Sequence, residues 1–386
     1  MIIFQSLTRA ELSKLLEQFF EADGVSSPEK KARYQAKQLF HWVYQRFVTD
    51  FDEMTDLSKA LRAYLKSTIQ IYRLSERQSR QSLDGTKKFL WDLSDSKTIE
   101  SVIIPAALDS KKKISNSIQK DSDSLSPNRL TACISSQVGC AMGCKFCLTG
   151  IQGFDRQLEV HEIVTQIYEL RKVAPITNIV FMGMGEPLHN VDRIIKACEI
   201  FLDEHAFGFS KRKVTVSTSG LVPGIEKLAL ESEASLAVSL NASYDEQRSQ
   251  IMPVNRRYPI QELLKACDLF LSNRNRLLTF EYVLLHEVND SDADAKRVAN
   301  LLKHRRAKVN LIPFNPHPGS EFKRPEQERV KAFQKILIDQ GLVTTVRISR
   351  GRDILAACGQ LRSIFGTAKG TAKHRDWKEL PVVVSE

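Results

Sequence analysis

The sequence predicts an α/β protein: an incomplete TIM-like (β/α)6 barrel behind a small N-terminal helical domain and a short antiparallel β element. Three observations carry this. From Arg129 onward, short apolar runs alternate with amphipathic helical stretches, the pattern of a parallel sheet with crossover helices. That alternation alone also allows a doubly wound sheet. Polar and reactive residues then decide between the two, because Cys140, Gly185, Glu186, Ser217, Ser239, Asn241 and Asn315 fall at or just past the C-terminal ends of different predicted strands. One site fed by many strand ends is the arrangement of a barrel. Finally, 386 residues exceed a usual single core, which leaves room for accessory units.

Residues 1–70 read as the helical domain. Thr8 can cap a helix whose apolar positions Leu12, Leu15, Leu16 and Phe19 recur at helical spacing. A second helix is predicted from Ala32 through Phe47, and a third begins over 57–62. Residues 71–128 hold the β element and a polar loop. The period falls to two from Tyr72 to Pro105, where residues 88–93 alternate after the Asp84-Gly85 turn signal and 99–104 follow. The stretch 107–128 is rich in Lys, Ser and Asp and reads as a mobile loop, with Lys111-Lys112-Lys113 as a solvated tip.

The barrel is predicted over 129–366, followed by a tail at 367–386. Its strand-like runs are 130–136, 177–183, 214–219, 235–240, 278–285, 308–314 and 344–349. The helical stretches between them include 190–206, 259–272, 292–304 and 325–340. Asn190, Asp292 and Pro325 are start signals, and Gly341 is a stop.

Composition narrows the class. Hydrophobic residues at 42% and charged residues at 26% are ordinary for a globular chain. A net charge of +10 favours a polyanionic partner over a merely basic surface. Seven cysteines without a recognisable signal peptide point to a reducing cytoplasm. No apolar stretch approaches the roughly 20 residues of a membrane span, so no membrane partner is expected.

The chemistry concentrates in Cys140, Cys144 and Cys147, a C-x3-C-x2-C run with Phe146 before the third thiol. Three thiolates can hold three irons of a cubane [4Fe–4S] cluster and leave the fourth iron open to chelate a small molecule. A structural zinc would want four protein ligands, and no second C-x2-C exists in the chain. The glycine-rich run Met182–Pro187 can be a tight strand-end turn. Beside a three-cysteine loop, its carboxylate or carbonyls can also bind an α-ammonium, with glycines admitting close backbone approach. Ser217, Ser239 and Asn241 suit ribose and carboxylate contacts. Cys198 and Cys267 lie on apolar helix faces and read as core. Taken alone, Cys133 is a strand-core residue and Cys358 a helix-start residue. Lys211-Arg212-Lys213, Arg256-Arg257, Lys303 with Arg305-Arg306, and Arg347, Arg350 and Arg352 are candidate phosphate contacts.

The phrases that surround these residues resemble the RlmN/Cfr family of radical S-adenosylmethionine RNA methyltransferases. They are residues 132–140, Met182–Pro187, Ser217–Gly220, Leu311–Pro316 and Gly351–Leu361. The likeness runs from about residue 32 to about 366. It implies a methyltransferase acting at C2 of adenine in 23S ribosomal RNA and in tRNA. The alternatives are the C8 chemistry of the Cfr branch, which Pro187 disfavours, and a non-catalytic metal-containing RNA-binding protein. Site residues follow from the same resemblance. Cys140, Cys144 and Cys147 would hold the cluster. Gly185, Glu186, Ser217, Ser239, Leu240, Asn241 and Asn315 would bind S-adenosylmethionine. Cys358 would carry the methyl group, Cys133 would resolve it through a transient disulfide, and Glu100 would accept a proton. Asn241 departs from the family's usual His. An electron donor of unstated identity is also implied. The scheme is coherent, since C2 of adenine is too electron-poor to attack a methyl sulfonium directly and a radical route supplies the alternative.

Overall fold

The computed structural model describes residues 1–106, 129–272, 276 and 278–362. The predicted polar loop over 107–128, with its Lys111–Lys113 tip, and the predicted tail over 367–386 lie outside the described residues.

Strand β1 (Ile2–Ile3) pairs in parallel with β2 (Ile69–Gln70) and so ties together the two ends of the helical unit. Between them run α1 (Arg9–Ala22), α2 (Pro28–Phe40) and α3 (Lys59–Thr68). Thr8 caps α1 as predicted: its side chain accepts from the Glu11 amide, and Glu11 returns a bond to the Thr8 amide. Helix α2 starts earlier than Ala32 because Pro28, with its φ already set for a helix, occupies the first turn. Its last turn then widens over His41–Gln45. This unit packs on the back of the barrel. The Tyr44 ring lies 4.8 Å from that of Phe207, and Arg9 pairs with Asp203 at 2.7 Å.

Strands β3 (Ser75–Gln81), β4 (Lys87–Asp92) and β5 (Thr98–Pro105) form the predicted antiparallel element. Gly85, at φ +84°, makes the turn between the first two. The element continues the main sheet. Strand β5 pairs antiparallel with β6 (Leu130–Cys133), placing Val102 opposite Cys133. A side ribbon follows, β7 (Gln137–Gly139) with β8 (Phe154–Gln157), enclosing the short helix α4 (Leu148–Gln152).

The alternation predicted from Arg129 then unfolds in order: α5 (Val160–Val173), β9 (Asn178–Phe181), α6 (Val191–Leu202), β10 (Val214–Thr218), α7 (Val222–Glu231) and β11 (Ser235–Ser239). After these come α8 (Asp245–Ile251), α9 (Ile260–Ser272), β12 (Leu278–Leu284), α10 (Asp292–Leu302), β13 (Ala307–Pro313), α11 (Gln327–Asp339) and β14 (Val343–Val346). The sheet order is β14-β13-β12-β11-β10-β9-β6-β5-β4-β3, parallel from β6 to β14. Seven parallel strands joined by six helical crossovers make the incomplete TIM-like arrangement. The ladder ends at β14, which has no pairing back to β6 among the described residues.

Gln166 of α5 joins the antiparallel extension to the barrel. Fully buried, its Oε1 accepts from Ser101 Oγ (2.7 Å) and the Ser135 amide (2.9 Å), and its Nε2 donates to the Ser135 carbonyl (2.9 Å). Gln166→Leu would strand the Ser135 amide and carbonyl in the interior. A buried orphan group costs about 1–3 kcal/mol, so urea unfolding should show a loss of at least about 2 kcal/mol, against a near-neutral result if water can enter.

Candidate active site

Parallel strands in register bring their C-terminal ends to one side of the sheet. Ser217 of β10 stands opposite Ala237, and Ser239 of β11 stands opposite Glu281 of β12. Above these ends is one cavity. Cys140, Cys144, Cys147 and Cys358 line it, as do Gly185, Glu186, Ser217, Ser239, Asn241 and Asn315. Three expected residues are not on its wall. Leu240 is fully buried and donates its amide to the Glu281 carbonyl at 3.0 Å. Cys133 lies in β6, almost fully buried, and Glu100 lies in β5.

The cysteine loop is set by backbone contacts. Gly139 has φ +79°, and a Cβ there would lie 2.0 Å from the Gly153 carbonyl oxygen, so only glycine fits. The Cys140 amide donates to that same oxygen at 2.8 Å, and Lys145 N–H donates to Ile251 at 3.0 Å. In the protein alone, burial pushes the Cys140 and Cys144 thiols above their usual range. Holding them as thiolates would take a compensating positive charge.

The Met182–Pro187 run forms the tight strand-end turn that the sequence allowed, and its glycines are required by packing. A Cβ on Gly183 would meet the Ile134 carbonyl at 2.6 Å, and one on Gly185 would meet the Gln137 side chain at 2.5 Å. These glycines let the turn pack against the backbone after β6, whatever else approaches it. Glu186 is buried, with Oε2 accepting from the Ser219 amide (2.7 Å) and Oε1 from the Leu188 amide (3.1 Å). Burial raises its carboxyl and these amides pull it back. Asn241 takes a left-handed φ of +54°, a conformation Asn tolerates. Its Oδ1 accepts from the Val283 amide (2.7 Å) and its Nδ2 faces Met252 Sδ (3.2 Å), so the side chain is largely spent on the protein. Ser219 also lines the cavity, and among the described residues its buried Oγ, a neighbour of Glu186, makes no well-formed hydrogen bond.

Cys358 sits in an irregular segment that closes one side of the cavity. The Leu148 amide donates to the Gly359 carbonyl (2.8 Å), and Thr149 Oγ1 donates to the Leu361 carbonyl (2.6 Å). These bonds attach the segment to α4, directly after the third cysteine of the loop. Asn315 Nδ2 donates to the Cys358 carbonyl at 3.2 Å. Burial pushes the Cys358 thiol up to about 11, against the pull of Arg347, and the Cys133 thiol up to about 12, with Cys358 adding to the rise.

Two residues of the site carried no sequence signal. Arg248 of α8 is fully buried and donates to the carbonyls of Ser219 (2.6 Å), Ser239 (3.0 Å) and Leu240 (2.9 Å), and to Asn255 Oδ1 (3.0 Å). It braces two strand ends with one guanidinium, and burial lowers its pKa to about 10. Glu281 is a buried carboxylate on the cavity wall whose oxygens both accept from Asn310 Nδ2. In sequence, the first reads as a surface arginine and the second as one polar residue inside an apolar strand.

The basic clusters divide. Lys211–Lys213 precede β10, and Lys303, Arg305 and Arg306 precede β13, so both groups lie at the N-terminal ends of strands, away from the cavity. Lys211 pairs with Glu233 and Arg305 with Asp268. Arg256-Arg257 follows β11 and Arg347–Arg352 follows β14, on the cavity side.

The Radical SAM superfamily profile matches residues 134–298. A profile of the ribosomal RNA large subunit methyltransferase N-terminal domain matches residues 7–71. The chain is 48% identical over 332 residues to the dual-specificity RNA methyltransferase RlmN of Syntrophotalea carbinolica, covering 86% of this chain and 84% of that one. It is 47% identical to the protein of the same name from Geobacter sulfurreducens, covering 88% and 89%. A crystal structure of a radical SAM methyltransferase from Sphaerobacter thermophilus superposes with a TM-score of 0.79 at 43% identity, covering 94% of this chain and 99% of that one.

Arg248→Met would leave the Ser219, Ser239 and Leu240 carbonyls without their shared donor. Hydrogen bonds to charged groups contribute about 1.5–3 kcal/mol each, so unfolding free energy should drop by about 3 kcal/mol or more. A loss under about 1 kcal/mol would mean the guanidinium does not brace the strand ends.

Proposed function

The chain belongs to the RlmN family of dual-specificity RNA methyltransferases within the radical SAM superfamily, and from this we infer that it methylates C2 of adenine in large-subunit ribosomal RNA and in tRNA. Its relatives carry the RlmN name, which favours C2 over C8. The observation that carries the reading is that Cys358 shares one cavity with Cys140, Cys144 and Cys147.

The family's cofactors are a [4Fe–4S] cluster and S-adenosylmethionine, and the cavity suits both. The three loop thiols and Cys358 line it, and the buried Ser219 Oγ, which makes no well-formed hydrogen bond among the described residues, can take a polar ligand. Cys140, Cys144 and Cys147 would ligate the cluster. Glu186 would face the ammonium of S-adenosylmethionine. Ser217, Ser219 and Ser239 would face its hydroxyls and carboxylate, with Gly185, Asn241 and Asn315 shaping the wall and Leu240 acting from behind it through its backbone. When bound, these groups supply the methyl carbon and the electron for radical chemistry.

The chain's own residues do the rest. Cys358 carries the methyl carbon and becomes joined through it to the base. Glu100 accepts the proton that C2 must lose. Cys133 then loses its proton and attacks Cys358 Sγ: the S–S bond forms, the carbon–sulfur bond breaks with its electron pair passing to the carbon, and that carbon takes up a proton to become the methyl group of the released base. The disulfide is reopened by an external reductant, and the cluster is served by an electron donor. We place the reaction in the cytoplasm, where both RNAs reside. No helix among the described residues is long and apolar enough to cross a membrane.

The two thiols should separate by variant. Cys358→Ala should retain the cluster's absorption yet form no product and no protein–RNA adduct. Cys133→Ala should accumulate RNA covalently held to Cys358, surviving denaturation and lost on nuclease digestion. Normal turnover by Cys133→Ala would sink this division of labour.

Ser219→Ala removes a hydroxyl that makes no well-formed hydrogen bond among the described residues, so the melting temperature should not fall. Affinity for S-adenosylmethionine, measured by calorimetry, should weaken by about fivefold, the worth of one hydrogen bond of about 1 kcal/mol. Unchanged affinity would remove Ser219 from the binding wall.

A further inference from the structure

The segment that presents Cys358 has little structure of its own. Over 351–362 it contains one short 3-10 turn, Arg352–Ile354, flanked by left-handed residues Gly351 and Leu355. Its position is therefore imposed from outside. One side is the barrel, through Leu148, Thr149 and Asn315. The other is the antiparallel extension. There the Gly351 amide donates to Asp84 Oδ2 (2.8 Å), Ser82 Oγ donates to Asp353 Oδ1 (2.6 Å), and Arg350 donates to the Asp84 carbonyl (3.0 Å).

Deeper in, two strand residues form a largely buried ion pair: Lys88 Nζ of β4 lies 2.9 Å from Glu100 Oε1 of β5. Each also grips the segment. Lys88 Nζ donates to the Leu355 carbonyl at 3.1 Å, three residues before Cys358. Glu100 Oε2 accepts from the Arg362 amide at 2.9 Å, four residues after it. One ion pair thus spans the stretch that holds the reactive thiol. Lys88 is also the cation that offsets the burial of Glu100, whose carboxyl burial raises.

We propose that Lys88 is a positioning residue, which fixes the Cys358 segment at both ends by binding the Leu355 carbonyl directly and the Arg362 amide through Glu100. This rests on the reading of Cys358 and Glu100 above. A lysine in an alternating strand of the extension would otherwise point to solvent. Here its ammonium is committed to one acceptor on the segment and one beneath it.

The test uses the full chain with its cluster, as Lys88→Met, Lys88→Arg and Glu100→Gln. By hydrogen exchange, Lys88→Met should exchange the amides of 351–362 about tenfold faster, the loss expected from one charged hydrogen bond, with the β12 amides of 278–284 unchanged. Lys88→Arg should return exchange to within about twofold of the parent, because a guanidinium can serve both acceptors. In turnover, Lys88→Met should lower kcat with the KM for RNA unchanged. Unaltered exchange in Lys88→Met overturns the proposal. So does equal acceleration in 278–284, which would make Lys88 a general stabiliser, or failure of Lys88→Arg to restore protection. Glu100→Gln keeps an acceptor oxygen and should keep the segment protected while losing product. If it turns over normally, the proton-acceptor role of Glu100 fails and the positioning role of Lys88 stands.

Discussion

The structure depends on a sheet that curls without closing. Parallel strands satisfy their backbone groups only through neighbours, and here the ladder runs from β6 to β14 and stops. A closed barrel fills its interior with side chains. An open one leaves a lateral gap beside the strand ends. On the β6 side, three antiparallel strands extend the sheet, and the segment after β14 reaches across to them through side chains. The cavity, the thiols that line it and the presentation of Cys358 all follow from this incomplete ring.

Within that frame, the polar groups divide between holding and reacting. Arg248 shows the cost of the first task, since a fully buried cation with carbonyl partners is retained only where several bonds repay its desolvation. Glu186 and Asn241 are similarly spent on backbone amides. Ser219 is the opposite case, a buried hydroxyl that makes no well-formed hydrogen bond among the described residues. Groups already bonded to the backbone brace the walls, and an unsatisfied hydroxyl keeps its capacity for another polar atom.

Much of this was legible in the sequence, for definite reasons. The cysteine spacing, the strand-end polar residues and the apolar runs are local patterns, so the parallel sheet and most of the cavity wall could be read directly. The cap at Thr8 and the helix start at Asp292 were legible because helix starts use a few residue types at fixed offsets, although the residue that caps α10 is Ser291. What escaped depends on distant pairings. Arg248 reads as surface until β10 and β11 are seen to end beneath it. Gly183 and Gly185 read as a tight turn or as ligand-approach glycines, and that the chain after β6 fills the space a side chain would need is seen only in the fold. The lysine and arginine runs at 211–213 and 303–306 directly precede the predicted strands at 214 and 308, so their place at the N-terminal ends of the sheet was legible as well.

The attachment of the Cys358 segment to the β3–β4 hairpin joins residues 267 apart in the chain. Contacts of such separation are made late in folding, after the entropy of closing the intervening loop has been met. A nascent chain can therefore assemble its helical unit and successive βα units first, leaving the reactive wall unfinished until the final strand is in place. During that interval the thiols of the loop lack the cover that the finished enzyme gives them. The molecule's vulnerability to oxidation is thus greatest at its birth, and it falls when the two ends of the sheet are bridged.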